Sequence, residues 1–124
     1  MKLLSSNTCR TPKSLAEVTQ FDPSKEADLA AIGMSAKQKE TIWRAVEGLY
    51  RTGISPAITF TLRRQGHVVF NRSLGHISGN GPDDSPDASK VLAQPDTPMC
   101  LFSASKVVTA MLIHKLAEDH KIDL

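Results

Sequence analysis

Met99-Cys-Leu-Phe-Ser-Ala-Ser-Lys-Val-Val-Thr-Ala-Met-Leu-Ile-His-Lys-Leu-Ala-Glu118 is the stretch from which the rest of the chain is read. It opens on a short apolar run, Met99 to Phe102, places Ser103 at the start of a helix, and sets Lys106 three residues on. Residues three apart on a helix share a face, so the Lys106 amine can reach the Ser103 hydroxyl. A hydroxyl is a poor nucleophile at neutral pH and needs an adjacent base. A lysine serves when burial and neighbouring positive charge depress its pKa. A helix N-terminus adds positive potential, and its free N–H groups can hold an oxyanion. The pattern points to acyl transfer through a serine ester. Spacing by itself is a weak signal, because an N-cap serine beside a solvated lysine is the commoner outcome. The residues that follow shift the balance. Val107, Val108, Ala110, Met111, Leu112, Ile113, Leu116 and Ala117 leave little polar face. That composition predicts a buried helix, with Lys106 entering it rather than lying in solvent.

Phe102-Ser-Ala-Ser-Lys-Val-Val-Thr-Ala110 resembles the active-site segment of the serine β-lactamase and penicillin-binding-protein superfamily, most closely its class C β-lactamase-related, esterase-like branch. Ser103-Ala-Ser-Lys106 and Thr109-Ala110 fit the pattern, and Asp96-Thr97 resembles the family's approach to it. Leu116 to Leu124 resembles the end of the nucleophile helix and the turn beyond, while Met99 stands where an aromatic is common. The resemblance implies an α/β (α+β) fold, an antiparallel sheet flanked by helices. It implies Ser103 as the acylated nucleophile, Lys106 as general base and no cofactor. The implied substrate is a small ester, β-lactam or D-Ala-D-Ala peptide. It also implies a later Tyr-x-Asn tyrosine and a Lys-Thr-Gly or His-x-Gly strand, and neither pattern occurs in these residues. The helix after Ser103 needs apolar cover, and a lone hairpin is marginal by itself. The expectation is an N-terminal portion of a larger hydrolytic domain, or a truncated product, inactive alone. The alternative is a non-catalytic remnant or partner-dependent module without hydrolase activity.

The 124 residues fit one domain, and 40% apolar with 23% charged content suits a globular chain. A net charge of +2, with only Arg63-Arg64 adjacent among the basic residues, gives no nucleic-acid stripe. Cys9 and Cys100 are isolated and lack metal-ligand spacing; Cys100 is expected as a small buried apolar residue. Met1 to Arg10 starts like a signal peptide but carries only Leu3 and Leu4 as strongly apolar residues. No stretch approaches a membrane span, and a cytoplasmic location is expected. No sequence feature fixes the oligomeric state.

Two parts are expected: an irregular lead-in over residues 1–34 and the β-lactamase-related portion over 35–124. Ser35 caps a helix with Gln38 completing a capping box, and Gly53 and Pro56 end it. Ile42, Trp43, Val46, Leu49 and Tyr50 recur at helical spacing, and Tyr50 is read as packing. Ile58, Phe60 and Leu62 alternate with Thr59, Thr61 and Arg63 as a half-buried strand. Gln65-Gly66 is the turn, and His67 to Arg72 the return strand. Residues 77–98 read as a long loop rich in Gly, Pro, Asp and Ser that could wall the cleft; Asp83, Asp84 and Asp87 lack calcium-loop spacing. His67, His76, His114 and His120 have no motif context, and no G-x-S-x-G elbow is present.

Overall fold

The computed structural model describes residues 7–124; the first six residues, part of the segment read for a leader, lie outside it. The hairpin is the frame. Strands β2 (Ala57–Arg64) and β3 (His67–Ser78) pair antiparallel, with Arg64 opposite His67 across Gln65-Gly66. Both turn residues have positive φ, +50° and +82°, the two-residue turn whose twist matches the strands it joins. A register shift between Leu62 and Arg63 marks a bulge. Strand β1 (Thr19–Phe21) pairs with the other edge of β3, giving the order β1-β3-β2. A two-residue strand β4 (Val91–Leu92) pairs with the far end of β3. The fold is α+β, as the sequence implies.

Helix α1 (Ala36–Arg51) starts on the expected cap. Ser35 Oγ accepts from Gln38 N at 3.2 Å, and Gln38 Oε1 accepts from Ser35 N at 2.8 Å. The helix lies on β3 and buries two connected clusters. Tyr50, Leu74, Leu15 and Val18 form one, with Trp43, Ile58 and Leu92 at its margin. Ile32, Val69 and Phe70 form the other. Trp43 stacks on Phe70 with centroids 5.9 Å apart, and Phe60 meets the same ring at 5.5 Å. Tyr50 is fully buried, as read from its spacing; burial, and secondarily Cys9, pushes its phenol pKa up.

The segment expected to be irregular holds short 3-10 turns at Leu15–Val18, Pro23–Lys25 and Ala30–Ile32 besides β1. Its Glu26 carboxylate ties it to the body. Arg72 donates twice at 2.6 Å and Lys39 once at 2.7 Å, and the Glu26 side chain is only 5% exposed. Arg72 in turn lies over the Phe21, Trp43 and Phe70 rings at 4.2–5.0 Å. The 77–98 loop is more ordered than its composition suggests. Besides β4, Ser73 Oγ donates to the buried Ala93 carbonyl at 2.6 Å, and Asn80 donates to the Arg10 carbonyl at 2.8 Å. Gly75, at φ +98°, lets β3 pass close to Pro56 and Tyr50; a Cβ there would sit 2.3 Å from the Pro56 oxygen.

Two expectations fail. Helix α2 (Ser105–Glu118) is not buried: Val107, Met111 and Leu112 are exposed by 60% or more. Its apolar residues lie all round the axis, and among the described residues it packs substantially only on the 3-10 turn Phe102–Ala104 that precedes it. The inner face of the sheet is already taken by α1 and the 15–32 segment, so no second layer is left here to enclose α2. Cys100 is likewise exposed, because the Met99–Phe102 run leads out to that same uncovered helix.

Candidate active site

Ser103 sits in the 3-10 turn Phe102–Ala104, which runs directly into α2 at Ser105. The Ser105 hydroxyl donates to the Phe102 carbonyl at 2.7 Å and Ala104 N to the Leu101 carbonyl at 3.0 Å, locking the turn. Because Ser105 is spent on the backbone, it does not compete for Ser103. Lys106 follows one turn on, and its Nζ lies 3.4 Å from Ser103 Oγ. The structure thus brings together the two residues singled out by spacing. The Thr109 hydroxyl donates to the Ser105 carbonyl at 3.2 Å, a second tie within the first helical turns.

Phe102 has φ +47°, in the left-handed region that bulky residues seldom occupy, and the residue is 82% exposed. A residue held there costs about 1–3 kcal/mol. Nothing in the sequence marks this, because the strain arises where the apolar run breaks direction into the helix. The turn runs into α2 without a break, and the Ala104 and Ser105 N–H groups at this helix entry are taken up by the Leu101 and Phe102 carbonyls. The dipole of α2 places positive potential at this end of the helix, beside Ser103.

The pair stands in the open: Ser103 and Lys106 are both exposed. None of the four histidines is hydrogen-bonded to Ser103, and His114 is an exposed residue of α2. His76, on β3, has a lowered pKa, from burial first and from Lys90 second, and its Nδ1 is a buried atom without a partner among the described residues. Tyr50 is held in the core, apart from solvent. Among the described residues no three His, Cys, Asp or Glu side chains cluster as metal ligands. No described helix is long and apolar enough to cross a membrane.

Comparison with family models matches residues 43–124 to the Beta-lactamase family, a span that begins in α1, takes in the hairpin and ends with α2. The chain belongs to the β-lactamase family. Neither the curated proteins nor the solved structures compared with it give a match. Family membership places the chain in a serine-hydrolase-like superfamily. Ser103 and Lys106 lie inside the matched span, and so do the second half of α1 and the hairpin, whereas the Ser35–Gln38 cap precedes it.

Proposed function

We propose that this chain carries the nucleophile element of a serine hydrolase acting on esters or β-lactam-type amides. The Ser103–Lys106 contact at the entry of α2 is the observation that supports this reading. In the proposed step Ser103 Oγ attacks the substrate carbonyl carbon, and the hydroxyl proton passes to the unprotonated Lys106 amine. The Ser103 N–H is one donor to the oxyanion that forms. The tetrahedral species collapses, the C–O or C–N bond to the leaving group breaks, and that group takes up the proton. Water then hydrolyses the acyl-serine and regenerates the hydroxyl. A base of this kind must hold a free electron pair, which burial or neighbouring positive charge promotes in a lysine.

The exposure of both residues favours a second reading, in which this chain does not turn over substrate without further cover on α2. One experiment separates the two. The chain is incubated with an activated ester and with a fluorescent penicillin, and adducts are read by intact mass and peptide mapping. Any acylation is expected at Ser103, absent from Ser103→Ala and slowed at least a hundredfold in Lys106→Ala. Labelling that persists in Ser103→Ala overturns the assignment. An unlabelled wild-type chain establishes the non-catalytic reading.

A further inference from the structure

A hollow of about 700 Å³ whose lining does not include Ser103 lies between the start of α1 and the end of β2. Its walls differ in kind. Met34 and Ile42 form an apolar side continuous with the Ile32, Val69 and Phe70 core. Arg64 and Lys37 form the charged side, and no acidic residue lines the hollow. Arg64 is not a loose surface arginine. Its Nε donates to the Ile32 carbonyl at 2.8 Å, which fixes the guanidinium at the rim and leaves both Nη groups without a protein acceptor among the described residues. Lys37 Nζ has no acceptor there either, whereas the neighbouring Lys39 is committed to Glu26 and Arg44 to Glu40. The N-terminus of α1 is not the attraction, because the capping box between Ser35 and Gln38 already uses those groups.

A mainly apolar concavity with a few convergent polar groups is the usual form of a small-molecule site. A pinned guanidinium presents parallel donors that suit a carboxylate. We propose that this hollow binds an amphipathic monocarboxylate, its alkyl body against Met34 and Ile42 and its carboxylate between Arg64 and Lys37. Chain length is bounded by the volume, and an unbranched acid of about eight carbons fits with room to spare. Phosphate or acetate lacks the alkyl body and binds weakly. A primary amine of the same length meets two cations and is disfavoured.

The test uses the full 124-residue chain, isotope-labelled, titrated with octanoate, octylamine and 1-octanol below micelle-forming concentrations. Amide shifts are followed at Gly33, Met34, Thr41 and Ile42 and, as an internal comparison, along α2, whose exposed apolar residues take up any alkyl chain. Octanoate is expected to move the α1 amides with an affinity about tenfold above that of octylamine. Arg64→Gln is expected to remove most of that preference while leaving the 1-octanol response unchanged. Equal binding of octanoate and octylamine at the α1 amides overturns the proposal, as do octanoate shifts confined to α2. Preserved discrimination in an Arg64→Gln, Lys37→Gln double variant overturns it too.

Discussion

Replacing Glu26 by Gln tests what joins the N-terminal segment to the sheet. The carboxylate receives two bonds from Arg72 and one from Lys39, all of 2.6–2.7 Å. Each charge-assisted bond is worth about 1.5–3 kcal/mol, and removing one partner of a buried pair costs about 3–5 kcal/mol. Two features reduce that figure here. Arg72 and Lys39 keep 15% and 17% exposure, so both cations can partly rehydrate, and Gln retains one acceptor oxygen. The expected loss is about 2–4 kcal/mol, a large part of the stability of a small domain. Urea unfolding followed by the fluorescence of Trp43, the only tryptophan and 5.0 Å from the Arg72 guanidinium, reads this directly. With an m-value near 2 kcal/mol/M the midpoint falls by about 1–2 M. The acid limb supplies a second reading. Burial of Glu26 raises its pKa, but the bonds from Arg72 and then Lys39 outweigh burial and leave it below its ordinary value of 4.5. A depressed carboxylate contributes stability that is complete above that ordinary value and is lost as pH falls through the folded-state pKa. The gap between wild type and variant therefore narrows as pH falls below 4.5 and through the folded-state pKa. A midpoint drop under about 0.5 M, or a gap that stays constant from pH 6 to pH 3, refutes the clamp.

Gly75→Ala is expected to destabilise the chain by about 3 kcal/mol or more, since its φ is +98° and the new Cβ meets Pro56 O at 2.3 Å and Tyr50 Cε2 at 2.6 Å. A thermal midpoint within 2 °C of wild type would contradict that packing. Leu112→Gln on α2 is expected to change chain stability by less than about 0.5 kcal/mol, because the residue is 60% exposed. A loss of 2 kcal/mol in the same urea assay would mean that α2 is enclosed in solution.

The elements legible in the sequence were those written locally. Ser35 and Gln38 announce a cap, Gln65-Gly66 between alternating runs announces a hairpin, and Ser103 with Lys106 announces a shared helical face. What escaped is non-local or conformational. Strand β1 is three residues that become a strand only by pairing with β3, and β4 is two residues inside a loop of turn formers. Glu26 carries no motif, yet its partners lie 13 and 46 residues away. The apolar circumference of α2 predicts burial, and the helix is exposed. Composition records that such a helix favours cover, but it does not say which residues provide it. The left-handed Phe102 belongs to the same class, since a bulky residue gives no sequence sign of positive φ.

The arrangement of the core also sets an order of events during synthesis. Every residue of the two buried clusters lies between Leu15 and Leu74, and Ala93 closes the far end of β3. The body that can consolidate is therefore encoded ahead of Ser103 and the helix behind it, and its buried residues include none from α2. Among the described residues α2 is an apolar rod beside that body, the kind of exposed surface that chaperones and proteases recognise. A chain whose α2 stays uncovered is open to that triage however firmly the sheet before it is held.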